Sequence, residues 1–299
     1  MELGLYHSCF MEWPLEPLYR WMQEKGYRYV EIHGGPRYTD IVWADIASGR
    51  DKAIRKLGER YGIEIVDIMY GGLNFLSPEI QTRKAAQEYA AMLINAAYYL
   101  EVPSISVFTG RNPLLGLEDN LLELPAAMAP VLELAEKRGI RVALENCPMA
   151  HHWPPQYNIA INPVLWREIF SAIPTHVLGL NFDPSHLVWQ GIDYVAAVNT
   201  FADRIVVAQA KDSEILPHVQ REEGVLGTNF WRHRIPGQGE VNWNRFIAAL
   251  IEAHYQGPLV IEHEDPFYDG STEAVEAGLD LTRSNLLQFL SMQATRGAR

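Results

Sequence analysis

Arg-Val-Ala-Leu-Glu (141–145) is the first of four short apolar runs that each end in a polar side chain able to bind a metal. The other three are Leu-Gly-Leu-Asn-Phe-Asp (178–183), Ile-Val-Val-Ala-Gln (205–209) and Leu-Val-Ile-Glu (259–262). Alternation along a strand places Glu145 on the same face as Ala143 and opposite to Leu144. Barrel strands have this pattern, because bulky side chains meet the surrounding helices and the polar end residue points into the mouth. Four matched strand ends therefore predict one shared site.

Short β-like runs alternate with longer helical stretches along the whole chain, which predicts an α/β fold. We expect strands at Leu3–Tyr6, Tyr29–His33, Glu64–Met69, Ile105–Thr109, Val142–Glu145, Gly179–Asp183, Ile205–Gln209 and Leu259–Glu262. Helices are expected at Pro78–Leu100 with Ser77 as N-cap, and at Asn120–Arg138, Trp243–His254 and Thr272–Gln293. Eight strand–helix units predict a single (β/α)8 TIM barrel over residues 1–299, with a frayed tail at 293–299. A doubly wound sheet is disfavoured, because no glycine-rich phosphate fingerprint follows the first strand.

Charge, apolar runs and cysteine content indicate the compartment of the protein and exclude some classes of partner. The 299 residues carry a formal net charge of −12, which disfavours a nucleic-acid partner. No apolar run reaches membrane-spanning length, and we recognise no signal peptide, so no membrane partner is expected. Cys9 and Cys147 are the only cysteines and both lie in apolar runs, which predicts a reduced, cytoplasmic setting.

The polar strand ends predict a cation site. Carboxylates that face one another in a low-dielectric pocket repel unless a cation or shared protons compensate them. Glu145, Asp183 and Glu262 supply three carboxylates, and Gln209 supplies an amide oxygen. A set of oxygen donors suits Mn²⁺ or Mg²⁺ better than zinc. The alternative for each acid taken singly is a helix cap or a salt-bridged residue of the barrel rim.

Five stretches in the second half of the chain resemble the xylose isomerase-like sugar phosphate isomerase/epimerase superfamily. They are Leu-Glu-Asn-Cys-Pro (144–148), Asn-Phe-Asp-Pro-Ser-His-Leu (181–187), Ala-Lys-Asp-Ser-Glu (210–214), Pro-Gly-Gln-Gly (236–239) followed by Trp243, and Ile-Glu-His-Glu-Asp-Pro (261–266). The resemblance implies a divalent-metal site in which Glu145, Asp183 and Glu262 are three of four ligands. It also implies that His186 and Arg234 contact the substrate.

Gln209 is where the chain departs from that family, whose strand-seven ligand is usually histidine. An amide oxygen still coordinates a metal, although it is a weaker ligand than imidazole. Three interpretations are open: a weaker site for a harder metal, a three-ligand site completed by water or substrate, and a site that has lost its metal and its activity. We favour the first two.

The loops add further candidates. Residues 212–241 lack a convincing strand or long helix, and a connection of that length after strand seven predicts a loop that covers the substrate. His151 follows strand five and is a candidate proton-transfer group. Trp153 is a candidate for stacking on a sugar ring, as is Trp231, whereas Trp189 is expected in the core. Lys211 shares the parity of Gln209, which favours pairing with a carboxylate over contact with substrate.

These residues and the resemblance together predict an enzyme of carbohydrate metabolism. The leading hypothesis is a metal-dependent sugar or keto-sugar isomerase or epimerase that forms an enediolate, with Glu145 and Glu262 transferring the proton. The alternatives are a C4 epimerase or lyase (deglycosidase) of 3-keto-glycosides, and a non-catalytic sugar-binding barrel. The partner is expected to be a small sugar, and the sequence leaves open whether the protein forms a homo-oligomer.

Overall fold

The computed structural model describes residues 1–10, 12–36, 40–149 and 157–297, and side-chain surroundings through residue 293. Eight parallel strands form a closed barrel with helices around it, which confirms the predicted (β/α)8 fold. The barrel strands are β1 (Leu3–Tyr6), β2 (Tyr29–His33), β3 (Glu64–Tyr70), β4 (Ser104–Val107), β5 (Arg141–Glu145), β6 (Leu178–Phe182), β7 (Ile205–Ala210) and β10 (Leu259–Ile261). Strands β1 and β10 pair in parallel and close the ring.

Eleven α-helices occur in the described residues. They are α1 (Leu15–Lys25), α2 (Trp43–Ala47), α3 (Ala53–Tyr61), α4 (Ile80–Leu100), α5 (Leu117–Arg138), α6 (Pro163–Ala172), α7 (Ser185–Val188), α8 (Tyr194–Thr200), α9 (Pro217–Glu223), α10 (Trp243–Glu252) and α11 (Thr272–Gly297). Helix α4 begins later than predicted, because the Ser77 hydroxyl accepts a hydrogen bond from the Glu79 amide in the turn before it. Helix α11 continues through most of the expected frayed tail.

The apolar core lies between the barrel and its helices. Val142 and Leu144 of β5 are fully buried there, as the alternation of bulky and polar residues predicts. Trp166 of α6 packs edge-on against Phe182 of β6 with ring centroids 5.8 Å apart. No helix within the described ranges combines the length and the apolar character needed to cross a membrane.

The connection after β7 is more ordered than the sequence predicts. Residues 212–241 contain an antiparallel hairpin, β8 (Asp212–Ile215) with β9 (Trp231–Arg234), and helix α9 lies between these strands. The Asp212 carboxylate holds the end of this segment, because it accepts hydrogen bonds from the amides of Gly237 and Val241 and from the indole of Trp243. The Lys-Asp and Pro-Gly-Gln-Gly motifs and Trp243 therefore meet at one buried carboxylate.

The interior of the barrel holds a layer of polar side chains. Glu31 accepts hydrogen bonds from the side-chain amides of Asn181 (2.8 Å) and Gln209 (2.9 Å). Asp67 accepts a hydrogen bond from the Ser104 hydroxyl. Both acids are fully buried. Burial raises the pKa of Asp67 to about 6, and burial together with Asp67 raises the pKa of Glu31 well above its ordinary value. The folded protein therefore keeps a proton on this pair of acids at pH values where an exposed carboxyl group has lost it.

This proton makes stability depend on pH. The pKa of Asp67 rises from 3.8 to about 6 on folding, so its contribution is fully present below the unfolded value and is lost as pH rises through 6. Asp67→Asn keeps the size of the side chain and removes the ionisable group. We expect its free energy of unfolding to rise relative to wild type by about 1.4 kcal/mol between pH 5 and pH 8, measured by urea unfolding. The exposed Asp119→Asn serves as the control, and equal gains in both variants would contradict a raised pKa of Asp67.

Candidate active site

A cavity of about 790 Å³ opens at the carboxyl ends of the barrel strands. Four polar residues of its wall follow four different strands: Glu145, His186, Lys211 and Glu262. Tyr6, Met69 and Phe108 form part of the apolar wall and floor. The barrel thus brings two of the four predicted strand-end residues, Glu145 and Glu262, to one mouth. Asp183 contacts Lys211 of the cavity wall, and Gln209 bonds to the buried Glu31 inside the barrel.

The Asp-Pro-Ser-His turn (183–186) fixes the carboxylate of Asp183. Its two oxygens accept hydrogen bonds from the Ser185 amide and hydroxyl, each 2.8 Å long. The Asn146 side chain, directly after Glu145, bonds to both the carbonyl and the amide of Asp183. The ends of β5 and β6 are therefore locked together. This lock explains why both motifs contain an amide or hydroxyl next to the acid.

Lys211 is the cationic centre of the site. Its side chain is 1 % exposed, and its ammonium lies 2.9 Å from Glu262 Oε2, 3.0 Å from Glu264 Oε2 and 3.3 Å from Asp183 Oδ2. Burial lowers the pKa of Lys211, but Glu262, Glu264 and Asp183 together raise it well above its ordinary value. The sequence predicted a carboxylate partner for this lysine. The structure shows three, of which Glu264 was not anticipated.

The two glutamates of the mouth hold protons more tightly than exposed glutamates. Burial raises the pKa of Glu262 to about 8, with Lys211 acting in the opposite direction. Burial and the charge of Glu262 raise the pKa of Glu145 well above its ordinary value. A buried carboxylate with a raised pKa is a stronger base than a free one, so either group suits proton transfer near neutral pH.

Gln209 presents an oxygen donor without a partner. Its amide nitrogen donates to Glu31 Oε2, and its Oε1 atom is buried without a hydrogen-bond partner among the described residues. A buried carbonyl oxygen without a hydrogen-bond partner is of the donor type that a divalent cation requires. The donor set Glu145, Asp183, Gln209 and Glu262 stays a prediction, and a cation bound there would compete with the Lys211 ammonium for Asp183 and Glu262.

Replacing Gln209 tests this donor set. We expect Gln209→His to raise Mn²⁺ affinity by roughly tenfold, because imidazole is the stronger ligand and Glu31 is in place to accept its second ring N–H. The measurement is a calorimetric Mn²⁺ titration of metal-free protein. Adding Glu31→Gln should remove the gain. No gain in the single variant would count against Gln209 as a ligand.

Side chains alternate between the two faces of β9, so the candidate residues of the long connection do not all face the cavity. Trp231 and His233 line the cavity. Arg234 points to the other side of the hairpin, where its guanidinium pairs with Glu214 (2.5 Å) and Asp265 (2.9 Å). The structure therefore places His233 at the cavity wall and Arg234 behind it. Parity along the hairpin could have shown this, had the sequence signalled a strand there.

Two aromatic residues form one wall of the cavity. The indoles of Trp189 and Trp231 stack with centroids 4.7 Å apart and an angle of 2° between their planes. Trp189 therefore lies at the mouth, not in the core where the sequence placed it. His151 and Trp153, the candidates for proton transfer and ring stacking, lie outside the described residues.

The fold is shared with the solved structures of an epimerase-like protein and an epimerase. A D-tagatose 3-epimerase-like protein superposes with a TM-score of 0.73 at 20 % identity, over 99 % of each chain. The 3-keto-D-glucoside 4-epimerase YcjR from E. coli gives a TM-score of 0.72 at 15 % identity, over 97 % of this chain and 99 % of that one. At these identities the likeness shows the fold alone.

The chain also has relatives that are recognisable by sequence. The uncharacterized protein MJ1311 of Methanocaldococcus jannaschii is 25 % identical over 72 % of this chain and 69 % of its own length. An inosose dehydratase of Clostridium beijerinckii is 29 % identical over 33 % of this chain and 35 % of its own length. The family described as Xylose isomerase-like TIM barrel matches residues 19–285. With its closed barrel and its acids at the strand ends, the chain belongs to the xylose isomerase-like TIM barrel family.

Proposed function

We propose that the protein is a sugar or keto-sugar isomerase or epimerase that removes the proton from a carbon next to a carbonyl. The observation that carries this proposal is the pair Glu145 and Glu262. Both acids line one cavity, both are at least 95 % buried, and burial raises the pKa of each. Two such acids on different strands supply a base for one face of a bound carbon and an acid for another.

In the proposed proton transfer Glu262 is the base, Glu145 is the acid, and Lys211 is the cation next to the base. Glu262, as carboxylate, accepts the proton from the substrate carbon, and the electron pair moves onto the carbonyl oxygen to give an enediolate. The Lys211 ammonium, 2.9 Å from Glu262, offsets the negative charge of the carboxylate before transfer. Glu145, in its protonated form, returns a proton to the neighbouring carbon or to the opposite face. Protonation of the neighbouring carbon, with the hydroxyl proton moving from one oxygen of the enediolate to the other, gives an isomer. Protonation of the original carbon on its opposite face gives an epimer.

The other residues of the mouth bind and enclose the sugar. His186 and His233 lie at the wall with ring centroids 5.9 Å apart, within reach of sugar hydroxyl groups. The stacked indoles of Trp189 and Trp231 offer an apolar wall and exclude water. A Mn²⁺ or Mg²⁺ ion, for which Glu145, Asp183, Gln209 and Glu262 are the candidate ligands, would act as a Lewis acid and favour the enediolate electrostatically.

Proton exchange with solvent tests the proposal. The full-length protein is incubated with Mn²⁺ in D₂O and a panel of ketoses, and deuterium incorporation is followed by NMR with an EDTA control. Exchange accompanied by a rearranged sugar supports the isomerase or epimerase. Absence of exchange from every sugar of the panel would contradict it.

A second candidate is a C4 epimerase or lyase of 3-keto-glycosides. A neighbouring groove of about 660 Å³ is lined by Pro148, Ile161, Val225 and Leu226, and it shares Trp189 with the polar cavity. A glycoside with its sugar at the carboxylates could place an apolar aglycone in this groove. Release of the aglycone from a 3-keto-glycoside in the same D₂O experiment would favour the lyase over the isomerase.

A further inference from the structure

One trio of potential metal ligands within the described ranges is already assembled. Ligand atoms of Glu145, Cys147 and His186 all lie within 4.8 Å of one another. The Asn158 side-chain amide donates to the backbone carbonyls of Glu145 (2.8 Å) and Cys147 (3.0 Å), which fixes the chain that carries two of the three. All three residues line the cavity at the ends of β5 and β6.

His186 is the independent observation that points to a ligand. Its side chain is 1 % exposed, yet neither ring nitrogen has a hydrogen-bond partner among the described residues. Its Nε2 atom lies 3.3 Å from Asp183 Oδ2, without the geometry of a hydrogen bond. A buried polar ring without hydrogen bonds is costly unless something binds it.

The carboxylate of Glu145 is not engaged by Lys211. Lys211 forms its ion pairs with Asp183, Glu262 and Glu264. Among the mouth carboxylates in the part of the chain that the structure describes, Glu145 has no ion pair within 4 Å. The trio therefore lies beside the Lys211 cluster, with its own carboxylate, thiol and imidazole.

We propose that Glu145, Cys147 and His186 form a second cation site, selective for thiophilic divalent metals such as Zn²⁺ and Cd²⁺. One oxygen, one sulfur and one nitrogen ligand with an open fourth position is the donor set that tetrahedral zinc accepts. Binding replaces the Cys147 thiol proton by the metal and releases that proton to solvent. The site shares Glu145 with the proposed oxygen set but depends on Cys147, which that set does not use.

The thiol provides a direct spectroscopic test, since a cadmium thiolate has its own ultraviolet charge-transfer band. Metal-free full-length protein is titrated with Cd²⁺, alongside Cys147→Ser and Cys9→Ser as a matched pair. Cys9 is the other cysteine of the chain, and its thiol lies 3.8 Å from the Tyr6 carbonyl oxygen. We expect a band that saturates at one equivalent in wild type and Cys9→Ser and is lost in Cys147→Ser. His186→Asn should keep the fold and weaken Cd²⁺ binding by at least about tenfold.

Two results would overturn the site: no band in wild type, or a band that survives in Cys147→Ser. If Cys147→Ser fails to fold, as judged by circular dichroism, the His186→Asn titration decides, and unchanged affinity there would also overturn it. The readout does not involve turnover. A band without sugar exchange would therefore leave this site standing while the proposed function fails.

Discussion

Glu262→Gln is expected to lower the rate of proton exchange at the substrate carbon by about 10²–10⁴-fold, the usual contribution of a general base. Glutamine has the shape of the protonated acid but cannot accept a proton. Glu262 lines the cavity, and burial raises its pKa to about 8, so its carboxylate is a strong base at the wall of the proposed substrate site. Substrate binding should remain measurable by calorimetry.

Glu264 provides a matched control for this variant. Its carboxylate pairs with the same Lys211 ammonium at 3.0 Å, but its side chain is 46 % exposed. Glu264→Gln removes one negative charge from Lys211 just as Glu262→Gln does, so a purely electrostatic role predicts similar losses in both. We expect Glu264→Gln to lose less than about tenfold. Equal losses, or full exchange in Glu262→Gln, would remove Glu262 from the mechanism.

The barrel was predictable because strand ends carry a strong local signal. Bulky residues such as Val142 and Leu144 alternate with Glu145, and this parity reports which face meets the helices. The same parity places Glu145 and Glu262 at one mouth, where the structure has them. The hairpin of β8 and β9 was missed, because Trp-Arg-His-Arg (231–234) lacks the apolar alternation that marks a strand.

The hydrogen bonds and ion pairs of the site could not be predicted from the sequence, because they join residues that lie far apart along the chain. Glu31 contacts Gln209 across 178 positions of the chain, and this contact is what leaves the Gln209 oxygen without a partner. The exposed Glu264 joins the Lys211 cluster only through the path of the chain after β10. Arg234 faces Glu214 and Asp265 because the hairpin turns that side away from the cavity. Local patterns name candidate residues, and tertiary contacts decide their partners.

Lys211→Met is expected to lower the free energy of unfolding of the metal-free protein by about 3–5 kcal/mol at pH 8, the cost of leaving a buried charge without its partner. The ammonium is almost fully buried and contacts Asp183 and Glu262, which are at least 93 % buried as well. Met retains the apolar stem and removes the charge. The measurement is urea unfolding in EDTA. The control is Lys25→Met, which breaks a 2.7 Å surface pair with Asp280 and should cost about 1 kcal/mol or less.

The loss in free energy of unfolding caused by Lys211→Met should depend on pH and on bound metal. Lys211 lowers the pKa of Asp183, Glu145 and Glu262, so without it these acids hold protons still more tightly in the folded state. A raised folded pKa gives stability at low pH that is lost as pH rises, so the deficit should be smaller at pH 5 than at pH 8.

Mn²⁺ should also restore stability in Lys211→Met more than it stabilises wild type, because no ammonium then competes for Asp183 and Glu262. The protein would thus hold its carboxylates with an internal cation until an external one replaces it. If neither low pH nor Mn²⁺ reduces the loss of stability, Lys211 acts through packing. Its ammonium would then not stabilise the protein by pairing with Asp183 and Glu262.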